Sequence, residues 1–285
     1  MNYLKFWDAE KTEQLKTDGY AVFDLLDEKT IDELSKLFHS YHEKQPEGFY
    51  ATTHLEDKAK RKEISEELHR RLLDKIAVNF ENINLLGGAF ISKSPGQKGI
   101  LPLHQDWNLV DESTARSYNL WIPLVDVNEE NGAMRLLPAS HNKQKTFRGP
   151  NVAPVLYQIS SEVDKHMFSL NMKKGHAVMY DHALWHSSPQ NKTNELRLAL
   201  VMGVLPLNEE MKYYHQNGNM VEEYASNPDF FFEQERDAGP VGLTLLRSFE
   251  HPNTQLTQAE FEEIYLGKSA VVERKKGFFQ KLFKR

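Results

Sequence analysis

The sequence predicts a mainly β protein, an antiparallel barrel or jelly roll with helices packed around it. Three observations carry this. From about residue 83, short apolar runs follow one another: INLLGGAFISK, ILPLHQDW, YNLWIPLVDV, GAMRLLPA, MFSLNM, HAVMYDHALWH and LRLALVMGVL. Between them lie the turn-forming stretches SPGQKG, EENG, KKG and SPQNKTN, and this alternation is the rhythm of an antiparallel sheet folded onto itself. Ahead of the block, the apolar spacing is helical instead.

Taken in order, GYAVFDLL (19–26) alternates and is rich in β-branched and aromatic residues, so it reads as a strand. In the next stretch Ile31, Leu34, Leu37, Phe38 and Tyr41 recur at helical spacing behind Thr30, which can cap. A second, charge-rich helix is expected over about 57–80. The apolar runs from 83 to 206 read as strands, with HAVMYDHALWH taken as one strand closed by His186. After Pro206 the chain turns polar and aromatic (YYHQNGNMVEEYASNPDFFFEQ) and reads as helical or loop-like.

Composition narrows the function. Of 285 residues, 40% are hydrophobic, enough for a sizeable core, and a formal net charge of −6 argues against nucleic acid as a partner. Cysteine is absent, which excludes disulfides, thiolate metal sites and a cysteine nucleophile, so any metal must be held by nitrogen and oxygen. The polar N-terminus lacks an apolar signal core and no run of 18 apolar residues occurs, so a cytoplasmic location is the expectation.

Among twelve histidines, His104 stands out for its company. His104 and Asp106 are two apart in a segment that reads as strand, and residues i and i+2 of a strand share a face. Such a pair offers one nitrogen and one oxygen to a single point inside a barrel. Two histidines and one carboxylate form the facial triad of non-haem iron(II) oxygenases. For the third ligand His186 is the leading candidate. His176 and His182 compete in the same segment, and spacing alone does not choose. Arg197 helps: an arginine in the apolar run LRLALVMGVL needs an anion, because a buried unpaired charge is costly. That anion is either an internal partner such as Asp181 or a carboxylate of a bound diacid, gripped bidentately.

The chain resembles the phytanoyl-CoA dioxygenase family of iron(II)/2-oxoglutarate enzymes. The likeness rests on LHQDW (103–107), NLWIPLVDV (119–127), EENGAMRLLPASH (129–141), KGHAVMYDHALWHSSPQN (174–191) and ELRLAL (195–200), with DGYAVFDLLDEKTIDEL (18–34) ahead of them. It implies a double-stranded β-helix, of the jelly-roll or cupin-like kind. It further implies that His104, Asp106 and His186 hold Fe(II), that Arg197 and Ser188 bind the distal carboxylate of 2-oxoglutarate, that Trp121 lines that pocket, and that His141 lies near the site. The implied reaction uses dioxygen to hydroxylate an unactivated C–H of a small-molecule or lipid-like substrate, releasing succinate and CO2. Two departures stand out: Ala139 replaces the glycine of the family's P-G-S-H, and His176 replaces the aspartate of its G-D. Thr52, Thr53 and Lys93 are candidates for further 2-oxoglutarate contacts.

Competing readings are a zinc hydrolase using the same three ligands to activate water, a cupin-like isomerase, and a non-catalytic binding protein on the same fold. The residues singled out also have simpler readings: Trp121 as a core aromatic, Ser188 and EENG as turn formers, and His141 as a surface residue. The expected organisation is one oxygenase domain over 1–268, with the β-helix core at about 83–206, a C-terminal helical or loop region at 207–268, and a basic amphipathic tail at 269–285. In that tail VVERKKGFFQKLFKR (271–285) carries six basic residues and one acid. On a helix Phe278, Phe279, Leu282 and Phe283 would share a side, the pattern of an interfacial helix drawn to anionic lipid. Docking on the protein's own surface is the competing reading of the same pattern.

Overall fold

A computed structural model describes residues 1–42, 44–144, 146–233, 239–251 and 254–267. The tail at 269–285 lies outside them. In chain order the elements are α1 (Ala9–Asp18), β1 (Tyr20–Asp24), α2 (Glu28–Tyr41), β2 (Phe49–Ala51), α3 (Lys58–Ala77), β3 (Ile83–Lys93), β4 (Leu101–His104), β5 (Tyr118–Pro123), β6 (Arg135–Leu137), α4 (Ser160–Asp164), β7 (Phe168–Ser169), β8 (His176–Asp181), β9 (Trp185–Ser188), β10 (Arg197–Pro206), β11 (Lys212–Asn217), β12 (Met220–Ala225), α5 (Pro228–Glu233), β13 (Thr244–Glu250) and α6 (Gln258–Leu266).

The strands build a six-stranded sheet, β1-β8-β5-β10-β3-β2, and a four-stranded sheet, β4-β9-β6-β7. All the pairings within both are antiparallel. Together they form the expected double-stranded β-helix. The period-2 alternation of a strand sends successive side chains to opposite faces, and the six-stranded sheet uses both. Leu120, Ile122, Met179, Leu198, Leu200 and Met202 face outward and are sealed by Leu15, Ile31, Leu34, Phe38, Ile64, Leu68 and Leu72 from α1, α2 and α3. Truncating a fully buried aromatic here, such as Phe38, costs roughly 3–5 kcal/mol. Ile91, Trp121, Val178, Tyr180 and Ala199 face inward against Leu136 and Leu184. By the same alternation Lys93, Asn119 and Arg197 point inward, so the inner space is where the unusual polar residues gather.

Four expectations change. The cap of α2 is Asp27, whose carboxylate accepts from Thr30 N at 2.7 Å; Thr30 already lies within the helix, where a carboxylate three residues ahead outcompetes it. HAVMYDHALWH is not one strand: β8 and β9 belong to different sheets, and a turn over 182–184 separates them. β4 ends at His104, so Asp106 lies past the strand and its agreement with His104 does not come from strand alternation. Residues 207–267 are not merely helix and loop, because β11, β12 and β13 form a three-stranded antiparallel sheet. Gly218 and Asn219, with Gly218 at φ 60°, turn the β11–β12 hairpin, and Asn217 pairs with Met220 across it.

Candidate metal centre and anion site

His104 and His186 sit opposite one another in the β4–β9 ladder, and their ring centroids are 4.2 Å apart. Asp106, in the irregular stretch that leaves β4, closes the group. His104 Nε2 lies 3.8 Å from Asp106 Oδ1, and His186 Nε2 lies 3.7 Å from Asp106 Oδ2. One donor atom from each of the three falls within 4.8 Å of the others. Both imidazoles are held the same way: His104 Nδ1 donates to Pro102 O at 2.8 Å, and His186 Nδ1 donates to Leu184 O at 2.9 Å. With the proton fixed on Nδ1, each ring presents the Nε2 lone pair to the common point.

The electrostatics agree. Burial, then the charge of His104, pulls His186 down to about 4, so it is neutral and able to ligate at physiological pH. Burial pushes Asp106 up, but His186, His104, His182 and a hydrogen bond from Asn119 outweigh it and bring the carboxyl to about 2. Asn119 Nδ2 donates to Asp106 Oδ2 at 2.8 Å. Two imidazoles presenting Nε2 and an ionised carboxylate, without a thiolate, are a donor set for a divalent first-row metal with open coordination positions.

His182 is not part of the group. Its Nδ1 meets Ser117 Oγ at 2.9 Å, and its carbonyl accepts from Asp106 N at 2.8 Å. His176 lies at the surface, with Nε2 3.2 Å from Asp24. Of the three histidines, His186 is the one that lies with His104 and Asp106.

Arg197 begins β10 and is 2% exposed. Nη1 donates to Gly132 O at 2.7 Å and to Ser188 Oγ at 3.2 Å, and the guanidinium lies over the Trp121 ring with Cζ 5.5 Å from its centroid. Asp181 is not its partner, because that carboxylate is held bidentately by Arg116 at 2.7 and 2.9 Å. Arg197 Nε is buried and has no hydrogen-bond partner. One edge of the guanidinium is thus consumed by the protein, and a buried donor is left on the other.

Lys93, at the inner end of β3, is fully buried beside it, with Nζ 3.0 Å from Ser188 O, 2.6 Å from Ser188 Oγ and 2.5 Å from Pro189 O. Burial, then the charge of Arg197, pulls its pKa down to about 6. Two buried basic groups converge on Ser188 without a carboxylate bonded to either among the described residues, which is the chemistry of an anion site awaiting its anion. Gly132, of the EENG turn, makes the convergence possible. It sits at φ 77°, and a Cβ there would lie 2.6 Å from Pro189 O and 3.1 Å from Lys93 Cδ. Asn191 fixes the turn after Ser188 by donating to Lys93 O at 3.1 Å and Glu195 O at 2.7 Å.

Other expected site residues fall elsewhere. His141 is buried away from the metal group, its Nε2 3.2 Å from Lys16 O at the end of α1 and its ring against Gly19. The PASH histidine closes the N-terminal helix onto the sheet rather than entering the site. Thr52 Oγ1 accepts from Phe90 N at 3.1 Å, a bond that ties the segment after β2 to β3. Thr53 lines a cavity of about 730 Å³ that opens beside the metal group. Its wall includes His104, Asp106 and Asn119, with Leu101, Trp107, Val201, Met211, Phe230 and Phe231 supplying apolar surface. Phe230 and Phe231 come from α5, so the C-terminal region helps build the wall.

Fold and donor set together define a class: the iron(II)- and 2-oxoglutarate-dependent oxygenases built on a double-stranded β-helix. Within it, the chain belongs to the phytanoyl-CoA dioxygenase (PhyH) family, whose model matches residues 15–199. It is 26% identical over 221 residues to phytanoyl-CoA dioxygenase domain-containing protein 1 of Danio rerio, covering 67% of this chain and 70% of that one. Dioxygenase olcK of Penicillium canescens is 28% identical over 150 residues, which cover 50% of this chain and 43% of that protein. Among solved structures, the α-ketoglutarate-dependent carbocyclase SnoK of nogalamycin biosynthesis superimposes with a TM-score of 0.54 at 15% identity, covering 72% of this chain and 86% of SnoK. HygX of Streptomyces hygroscopicus, solved with nickel and 2-oxoglutarate, gives 0.52 at 16% identity, covering 70% and 87%. At these identities the two structures speak to the fold alone. No helix among the described residues is long and apolar enough to cross a membrane.

Proposed function

We propose that the protein hydroxylates an unactivated C–H bond of a small-molecule or lipid-like substrate, with His104, Asp106 and His186 holding iron(II) and with Arg197, Ser188, Lys93 and Trp121 forming the 2-oxoglutarate pocket. The observation that carries the reading is the pairing of two sites. Three metal donors lie within 4.8 Å of one another, and a buried arginine in the same β-helix keeps an unpartnered Nε. A hydrolytic zinc centre needs the first and has no use for the second.

When bound, iron(II), 2-oxoglutarate and dioxygen supply the oxidising power for hydroxylation, leaving succinate and CO2. The chain supplies the rest. His104 and His186 would present Nε2 to the metal because their Nδ1 protons are spent on main-chain carbonyls. Asp106 stays ionised, and Asn119 holds its Oδ2. Arg197 offers its buried edge to the far carboxylate of the cosubstrate, while Lys93 adds a second cation once that carboxylate restores its proton. The apolar cavity wall binds the substrate skeleton and keeps bulk water from the reacting carbon.

The test is an anaerobic titration of the purified chain with iron(II) and then 2-oxoglutarate, followed by exposure to oxygen. The expected results are a visible charge-transfer band that needs both ligands and formation of succinate. A screen of metabolite pools for products one oxygen heavier then identifies the substrate. Stoichiometric iron binding without any 2-oxoglutarate binding would overturn the proposal in favour of a metal hydrolase.

A further inference from the structure

Asp106 is held at every polar group it owns. Its carboxylate takes the Asn119 bond, its N–H donates to His182 O at 2.8 Å, and its carbonyl accepts from Arg148 Nε at 2.6 Å. The third contact is the unusual one, because it spends a buried arginine on a main-chain carbonyl. Arg148 also donates to Thr146 O at 3.0 Å and pairs with Glu112 through both terminal nitrogens, one of those bonds at 3.1 Å. Its side chain is 8% exposed and that of Glu112 is 11% exposed. The pair continues inward: Glu112 lies 3.8 Å from Arg116, which holds Asp181 at the end of β8.

The result is a buried chain of alternating charge, Asp181–Arg116–Glu112–Arg148, ending on the carbonyl of a proposed metal ligand. It compensates for what the strand does not provide. β4 stops at His104, so no ladder hydrogen bond fixes Asp106, and a residue in irregular chain needs another restraint. Flanking bonds serve the same stretch. Asn108 N donates to Arg148 O at 3.2 Å, and Arg148 N donates to Asn108 Oδ1 at 2.6 Å. A planar guanidinium suits the task, since it can grip a carboxylate with its two ends while Nε points elsewhere; an ammonium cannot.

We propose that Arg148, braced by Glu112, is a positioning residue that sets Asp106 in its ligand pose through the main chain. The inference rests on the metal-binding reading above. Arg148 does not touch the metal donors, so its effect passes through the peptide of Asp106.

The test uses the full chain with Mn(II) and Co(II) as probes. Arg148→Lys keeps the buried charge opposite Glu112 but loses the Nε donor. The double variant Glu112→Gln/Arg148→Gln removes both charges, so neither is left unpaired and the fold is protected. Binding of Mn(II), followed by electron paramagnetic resonance, is expected to weaken tenfold or more in both variants, the range seen when groups supporting a metal ligand are lost. The ligand-field bands of the Co(II) form are expected to shift, which a merely structural role would not cause. Folded variants with wild-type Mn(II) affinity and an unaltered Co(II) spectrum would overturn the inference and leave the metal site standing. Failure of the wild-type chain to bind either ion would remove the metal reading itself, and the inference with it.

Discussion

Arg197→Leu separates the proposed anion site from an ordinary buried ion pair. In the structure the guanidinium spends Nη1 on Gly132 O and Ser188 Oγ, leaves Nε without a partner, and has no carboxylate bonded to it among the described residues. Burial draws its pKa down to about 10, the direction expected of a cation that lacks a counter-charge. Removing it deletes two hydrogen bonds, each worth about 1 kcal/mol net. It also deletes a desolvated charge, and replacing a buried charge by a well-packed apolar residue is often neutral or stabilising. The two effects offset, so the ligand-free variant is expected to unfold within about 1 kcal/mol of the wild type. Binding should respond very differently. Truncating one partner of a desolvated charge pair costs about 2–5 kcal/mol, which is roughly 30-fold to a few thousand-fold in Kd. Arg197→Lys keeps the charge but not the planar fork and is expected to lose at least about tenfold. Calorimetric titration of 2-oxoglutarate into the Mn(II)-loaded chain, with denaturant unfolding of the ligand-free chain alongside, reads both quantities. An unchanged Kd for the Leu variant would refute the reasoning. So would a loss of about 3–5 kcal/mol in stability, the signature of a broken structural ion pair.

Three more outcomes are expected. His104→Ala, Asp106→Ala and His186→Ala should each abolish iron(II) binding, whereas His182→Ala should retain it; the opposite result for the last two would transfer the third ligand to His182. Lys93 has a folded pKa depressed from 10.5 to about 6, so between those values the unfolded chain holds more protons than the folded one, and stability due to this group rises with pH. The melting temperature of wild type minus that of Lys93→Met should therefore increase from pH 7 to pH 10, while 2-oxoglutarate binding, which favours protonated Lys93, should weaken over the same range; a flat difference in melting temperature would mean an ordinary lysine pKa. Co-sedimentation of the full chain and of a chain ending at residue 270 with anionic vesicles separates the two readings of the tail: binding by the full chain alone would support an interfacial helix over 271–285, and equal failure of both to bind would end the membrane reading.

The long inner strands were legible because their two faces demand different things. The outward positions of β10, Leu198, Leu200 and Met202, are apolar, and the one charged residue of the run, Arg197, marks the inward face. Lys93 carries the same signal at the end of β3, where the sequence offers it only as one candidate beside Thr52 and Thr53. The convergence of both on Ser188 depends on Gly132 approaching Pro189 and Lys93 from a distant turn, which no local pattern records. His104 and Asp106 were recognisable as a pair, yet the strand reading gave the wrong reason: the pose of Asp106 is set by Asn119, His182 and Arg148, each from another part of the chain. The break between β8 and β9 was hidden because residues 182–184 are as buried and apolar as the strands they join. The C-terminal sheet did have a local sign, Gly218-Asn219 between alternating runs, which the abundance of charge and aromatic residues around it obscured.

The register of β4 against β9 has a consequence for how this architecture can diversify. His104 and His186 face one another across a single rung, and Asp106 follows two residues later, so the proposed metal site is specified by a few residues at each end of a long excursion of chain. Much of the wall that meets a substrate comes from inside that excursion, from Thr146 to Leu156, and from beyond it, in α5. Lengthening or rewriting those stretches changes which molecule is presented without disturbing the rung. Selection can thus trade substrates on this scaffold while the oxidation chemistry is inherited intact.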